Sequence, residues 1–234
     1  MLGVMQLPPP ALGPQSNLGL HAPALAVVLA AAATGLRARD LLAENGMPQA
    51  DLAHMLTLAV RGEHQLIFAG RHGLLRIQHT LAWNAQGQAV LHTVLPDRHR
   101  LESAVGPSDL LDLIALTTSA GGGPDLTVDA TVLTQVIDAL GNQQPKLARR
   151  ILETSDLAPG LIAEFLSQLG PQPGRFSLIA VNMQPEPRVR AAAIVHGARN
   201  SWWGEPAHNQ PDCLTLRPTD RFALRRAATA LYAA

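Results

Sequence analysis

The sequence predicts an α/β (α+β) fold with two pseudo-two-fold-related halves, each consisting of helices and an antiparallel β-meander. Two observations lead to this prediction. In both halves of the 234-residue chain, segments with helical periodicity come first, segments with strand alternation follow, and one more helix closes the half. The closing helices also begin alike, at Pro107-Ser108-Asp109 and Pro218-Thr219-Asp220, and the two prolines lie 111 positions apart (218 minus 107).

The boundary between the halves is predicted at a glycine-rich segment. Thr118–Pro124 contains three consecutive glycines, a composition typical of a loop. We therefore divide the chain into a flexible proline-rich tail at 1–17, an N-terminal α/β half at 18–120 and a C-terminal α/β half at 121–234. The length fits one large domain or two small, closely packed ones, and we expect the halves to form a single compact unit.

The N-terminal half begins with helices and continues with strands. Apolar residues at helical spacing predict helices at Pro23–Thr34, at Leu36–Glu44 and after Pro48. Strand alternation starts near Glu63, and the first strand is predicted to stop at Gly70. After a short turn at 71–73, three more strands are predicted at Leu75–Trp83, Ala89–Leu95 and Arg100–Val105.

The C-terminal half repeats this order. Asp129 is a predicted cap for the first of three helices, and Gly170 ends the third. The predicted helices are about 130–140, Lys146–Ile151 and Pro159–Leu169. The predicted strands are Phe176–Met183, Val189–Gly197, a stub around Trp202, and Cys213–Arg217.

Composition excludes several classes of function. Eighteen basic and eighteen acidic residues cancel, which leaves no overall field to attract nucleic acid or an anionic membrane. Cys213 is the only cysteine, so no intramolecular disulfide can form, as in proteins of a reducing compartment. The N-terminus lacks a basic signal-peptide region, and the apolar run Ala22–Thr34 is too short to span a bilayer. We expect a cytoplasmic protein without membrane insertion.

No motif for catalysis, nucleotide binding or metal binding is found. The chain lacks a nucleophile elbow, a P-loop and a dinucleotide fingerprint. His92, Asp97 and His99 are close in sequence, but a turn at Pro96 separates them and their spacing is not that of a zinc site. His79 is predicted to be a hydrogen-bonded core histidine. We therefore expect no cofactor, no metal and no enzyme activity.

Adjacent tryptophans are the most unusual local feature. Trp202 and Trp203 on one strand must point to opposite faces of a sheet. If one of them is not covered by another element, its ring is a candidate anchor for a partner; otherwise both belong to the core.

Four segments resemble the EspG chaperones of actinobacterial ESX (type VII) secretion, and one of them, Leu74–Leu95, resembles the strands that follow the first strand of the family's meander. Met47–Leu56, which leads through Arg61 to Leu66, resembles the family's helix before its first meander. Asp156-Leu157-Ala158-Pro159 resembles the helix before its second sheet, and Leu214–Asp220 resembles its terminal strand-to-helix junction. The resemblance covers roughly Leu36–Tyr232. The loop at Gly70–Gly73 is much shorter than the client-contacting loop of the family, so the chain is interpreted as a divergent, short member.

The resemblance implies a function and a partner. Proteins of this family bind the apolar helical tip of a PPE protein in a PE–PPE heterodimer and keep the pair soluble before secretion, without a cofactor. The partner-binding candidates are then Trp202, Trp203 and the hairpin residues Arg71 and His72, with the contact on the second-half sheet and nearby helices. A weak homodimer is compatible with this interpretation. Two alternatives stay open: a non-enzymatic α/β scaffold or interaction module with another partner, and an enzyme with an unrecognised site.

Overall fold

The computed structural model describes residues 34–43, 45–73, 75–95, 98–104, 106–115, 122–183 and 186–233. The predicted tail at 1–17, the predicted helix at 23–34 except for Thr34, and residues 118–121 of the predicted boundary lie outside these ranges. Within the described ranges, the chain is a mixed α/β structure in which helices cover an antiparallel sheet.

The described helices lie close to their predicted positions, and aspartate side chains cap the start of two of them. The side chain of Asp129 accepts hydrogen bonds from the backbone N–H groups of Thr131 and Val132 and so caps one helix, as predicted. Asp220 caps the last helix in the same way, through Phe222 and Ala223. The helices are α1 (Ala50–Arg61), α2 (Pro107–Ala115), α3 (Ala130–Gly141), α4 (Pro145–Leu152), α5 (Pro159–Leu169) and α6 (Arg221–Ala233).

Nine described strands form one sheet in the order β4-β3-β2-β1-β6-β7-β8-β9-β5. Every neighbouring pair is antiparallel, so two four-stranded meanders meet where β1 pairs with β6, and β5 closes one edge. The strands are β1 (His64–His72), β2 (Leu75–Trp83), β3 (Ala89–Leu95), β4 (Arg98–Ala104), β5 (Leu126–Asp129), β6 (Gly174–Asn182), β7 (Arg188–His196), β8 (Ser201–Ala207) and β9 (Gln210–Pro218).

One predicted helix is wrong. The sequence predicts a helix at Leu36–Glu44, but the helical residues there end at Arg37. Asp40 has a positive φ of 55°, which a helix does not tolerate and which aspartate adopts more easily than most residues. Leu42 then forms an isolated β-bridge with Pro48 and is buried. The apolar residues of this segment therefore fill the space before α1 as an irregular loop.

Helices lie on both faces of the sheet, in different arrangements. Adjacent residues of a strand point to opposite faces, and Trp202 and Trp203 belong to different buried clusters. Trp203 lies on the face covered by α2 and α6, which we call the closed face. Trp202 lies on the opposite face, which we call the open face, and packs there with α3, α4 and α5. On this open face, α1 packs separately against β2 and β3 through Ala82 and Val90.

Within the described ranges, the two helical layers of the open face leave the centre of the sheet uncovered. The cluster around α1 includes residues of β2 and β3, and the cluster around α3–α5 includes residues of β7, β8 and β9. Neither cluster includes a residue of β1 or β6. Open-face side chains at the centre, such as Ile67 and Ile179, are only half-buried. We call this strip of β1, β6 and the adjoining residues of β2 and β7 the central trough.

Candidate binding site

Both tryptophans of the pair are core residues. Trp202 is 1% exposed and meets Phe165 of α5 edge-on, with ring centroids 5.1 Å apart. Trp203 is 4% exposed, and its Nε1 donates a hydrogen bond to Glu205 Oε1 at 2.9 Å. The predicted opposite orientations are confirmed. The exposure that a partner anchor requires is not found for either ring, because helices cover both faces of β8.

Arg71 and His72 belong to a strand, which corrects their predicted position in a hairpin turn. β1 continues to His72, so that Arg71 pairs with Arg76 and His72 pairs with Leu75 of β2. Since they are adjacent in a strand, their side chains point to opposite faces. The structure therefore separates the two predicted site residues, with Arg71 on the open face and His72 at the end of the closed face.

Arg71 is the middle member of three arginines that cross the trough side by side. In the sheet register, Arg71 lies opposite Arg76 on β2 and opposite Arg175 on β6. We call Arg76, Arg71 and Arg175 the arginine row. Together with Ala69, Gly70 and Ser177 they line an open cavity of about 310 Å³.

Helix α3 supplies the polar groups that contact the arginine row. Arg71 forms an ion pair with Asp138, and both side chains remain close to half exposed. Arg175 donates a hydrogen bond to the hydroxyl of Thr134. Burial lowers the pKa of Arg175, and the positive charge of Arg71 lowers it further. The row therefore carries three guanidinium groups. Among the described residues, Asp138 is the one carboxylate that contacts them.

Beyond the arginine row, the open-face residues of β6 and β7 are mostly aliphatic, while Gln65, Gln78, Thr80 and Ser177 add polar side chains. Ile67 on β1 pairs with Ile179 on β6, and Ile179 pairs with Ala191 on β7. One step further from the arginine row, Val181 pairs with Val189, which is 67% exposed. Aliphatic residues that are exposed on β7 and half-buried on β1 and β6 form a continuous surface of the kind that binds protein partners. The trough thus combines a cationic end with a largely aliphatic floor, which we call the apolar floor.

Three histidines of β2, β3 and β4 lie outside the trough, and the sequence predicted only part of their environment. His79 Nδ1 lies 2.9 Å from Thr93 Oγ1, which confirms the predicted hydrogen bond, but the residue is half-buried and does not belong to the core. His92 and His99 stack across the β3–β4 hairpin, with Nε2 and Nδ1 3.0 Å apart. Burial and then His99 lower the pKa of His92 to about 4. The described residues contain no group of three or more His, Cys, Asp or Glu side chains that could hold a metal ion.

The arginine row was missed by sequence reasoning, because Arg175 lies on a strand about a hundred residues away from the hairpin that carries Arg71 and Arg76. No described helix is long and apolar enough to cross a membrane. No known family model matches this chain, and neither does any curated protein.

Proposed function

We propose that this chain is a cytoplasmic chaperone of the EspG type, which binds the helical tip of a PPE protein in a PE–PPE heterodimer and keeps the pair soluble. The central trough is the observation that carries the proposal. It is a strip at the middle of a large sheet that none of the described helices covers, bounded by helices on two sides, with aliphatic side chains on its surface. The tip of a helical hairpin has the shape and the apolar character to fill such a strip.

The arrangement of the sheet supports the two-half EspG-like architecture in this proposal. Corresponding strands of the two meanders begin at a nearly constant offset (β1 to β6, 110; β2 to β7, 113; β3 to β8, 112; β4 to β9, 112). In the central pair, Phe68 lies opposite Leu178, which is also 110 positions away. An antiparallel pair centred on equivalent residues is the arrangement that a local two-fold axis produces. The trough would then lie on this axis and belong equally to both halves.

Burial of the apolar floor gives a physical reason for the chaperone role. Each aliphatic side chain that leaves water contributes roughly 1.5–3 kcal/mol before the entropic costs of association. An exposed apolar tip self-associates for the same reason, and a trough that covers the tip removes that area from water. This mode of binding requires neither a cofactor nor a reaction, and the tryptophans contribute to it only by holding the sheet in place.

The first prediction tests this function by co-expression with the PE–PPE pairs encoded in the source genome. We expect a soluble 1:1:1 complex in size-exclusion chromatography, whereas the PE–PPE pair alone forms higher oligomers. Val189→Lys places a charge on the apolar floor, and we expect it to raise the Kd at least ~tenfold. Because Val189 is 67% exposed, its replacement leaves the fold intact.

The matched control is Phe222→Lys, which changes a side chain that is 61% exposed at the start of α6. Since α6 covers the closed face, this variant is expected to bind as the wild type does. Circular dichroism checks that both variants are folded. The proposal is wrong if the wild type forms no complex with any PE–PPE pair, and the scaffold with another partner then replaces it. Equal losses in both variants would contradict the assignment to the trough.

A further inference from the structure

We propose that the arginine row binds a carboxylate of the partner protein, an aspartate or glutamate side chain at the tip that enters the trough. This inference deepens the proposed function, on which it rests for the identity of the partner. The site consists of Arg76, Arg71 and Arg175 on three adjacent strands, with the apolar floor beside it.

The charges of the row are not balanced among the described residues. Arg71 pairs with Asp138, and Arg175 contacts the uncharged hydroxyl of Thr134. Arg76 is exposed and forms no ion pair with any described residue. Like charges directly opposite each other in a sheet are destabilising, and here two such pairs are adjacent. A local arrangement that opposes folding is expected at a binding site, where a ligand compensates for it.

Guanidinium groups are well suited to a carboxylate. Each presents a planar fork of N–H donors that matches the two carboxylate oxygens. Arg175 is held by Thr134 and Arg71 by Asp138, so two of the three are oriented before a partner arrives. Arg76 has no ion-pair partner in the part of the chain that the structure describes, and its exposed side chain can close over a bound carboxylate. Preorganised donors reduce the entropic cost of binding.

The occupant is a protein rather than the chain's own N-terminal segment or a nucleic acid. Residues 1–33 contain no aspartate or glutamate, so this segment has no acidic side chain to offer. A nucleic acid would require cationic groups along the whole strip. Beyond the row, however, the strip carries Ile67, Ile179 and Val181. An acidic residue next to apolar ones on a protein tip matches both ends of the trough.

The second prediction uses Arg76→Gln in the complex with the PE–PPE pair. Because Arg76 is exposed, we expect the variant to fold normally and to raise the Kd about fivefold to tenfold at low salt. The wild-type Kd should also rise between ~50 mM and ~300 mM NaCl, and this dependence should be weaker in the variant. Arg226→Gln on α6 removes the same charge from an exposed position away from the trough and should match the wild type in both measurements.

A second arm tests the row without the PE–PPE pair. Succinate is titrated into the chain alone, and NMR signals of the arginine Nε–H groups are followed. We expect saturable shifts for Arg71, Arg76 and Arg175 with succinate, no shifts with the neutral succinamide, and weaker shifts in Arg76→Gln. If the pair binds but Arg76→Gln changes nothing, this inference is wrong while the proposed function stands. If no pair binds but succinate shifts the row, the carboxylate site stands and the proposed function is wrong. The absence of any succinate shift would overturn the inference.

Discussion

At the scale of single residues, His196 has an unusual environment for a titratable group. It is 3% exposed at the end of β7, and its Nδ1 lies 3.0 Å from Ser201 Oγ. Its ring also packs against Phe176, with centroids 5.4 Å apart. Burial, and then the neighbouring His72, lower the pKa of His196 to about 4. The folded protein therefore holds this imidazole neutral well below the pH at which it would be protonated in an unfolded chain.

The third prediction is a loss of stability in acid. The pKa of His196 is about 4 in the folded protein and ordinarily 6.5, so the unfolded chain binds more protons between these two pH values. The free energy of unfolding therefore falls as pH decreases through this window, by at most about 3 kcal/mol for this group. We expect His196→Asn to flatten the pH dependence of the free energy of unfolding by roughly 1 kcal/mol per pH unit in this window. Urea unfolding of the wild type and of His196→Asn at a series of pH values measures this difference in slope.

The control for this prediction is His54→Asn, which replaces an exposed histidine on α1. It should leave the pH dependence of the wild type unchanged. His92, with its pKa also lowered to about 4, contributes a second acid-sensitive group, so His196→Asn is expected to reduce the dependence without abolishing it. Identical slopes in the wild type and in His196→Asn would contradict the prediction.

The orientation of a side chain can be predicted from sequence where the local backbone conformation determines it. The opposite directions of Trp202 and Trp203 follow from the alternation of a strand, and they were predicted. Their burial depends on the docking of α5 on one face and of α2 and α6 on the other, which alternation does not encode. The arginine row could not be predicted from the sequence, because Arg71 and Arg175 become neighbours only through the pairing of β1 with β6.

At the scale of elements, the pairing of β1 with β6 is the closest contact between the two meanders. Gly70 on β1 lies opposite Phe176 on β6. A Cβ added at Gly70 would lie 2.1 Å from the carbonyl oxygen of Arg175 and 2.6 Å from the Cα of Phe176. These are backbone atoms of a paired strand, so they cannot move aside as a flexible side chain can. Glycine at this position is therefore required by the packing of the two strands.

The fourth prediction is that Gly70→Ala destabilises the protein by at least ~2 kcal/mol, because the two central strands must separate locally. Gly160→Ala is the matched control. Gly160 is in the first turn of α5, and an added Cβ there meets no atom within 4 Å. Alanine favours a helix over glycine, so we expect this variant to be neutral or slightly more stable. Thermal unfolding compares them, and equal Tm values for both variants would exclude the required close contact.

Elements with a clear period were predictable, and those shaped by tertiary contacts were not. The alternation of β2 and the capped start of α3 were read directly from sequence. The segment after Leu36 has helical spacing but turns at Asp40 and bridges Leu42 to Pro48. The short strand β5 was missed, because its four residues are a strand only by pairing with β9 at the edge.

At the scale of the whole molecule, the closed face joins the two meanders into one unit. The largest buried cluster of this face contains residues of β1–β3 and of β6–β8, together with α2 and α6. Tyr232 of α6 meets Trp83 of β2 edge-on, with ring centroids 5.8 Å apart. Arg225 of α6 also forms an ion pair with Asp112 of α2. The last helix of the chain therefore completes the core that covers the first meander.

The fifth prediction is that the chain unfolds in a single cooperative transition, because neither meander retains a complete closed-face core without the other. Urea unfolding is followed in two variants. Trp202→Phe with Trp203→Phe leaves Trp83 to report on the first meander, and Trp83→Phe leaves the pair to report on the second. Within each variant, we expect the fluorescence midpoint and slope to coincide with those of far-ultraviolet circular dichroism, which follows the whole chain. A fluorescence transition of the first meander that clearly precedes or follows the loss of ellipticity would mean that the two meanders unfold separately. The trough would then lie across two independent units, and its shape would depend on how they dock.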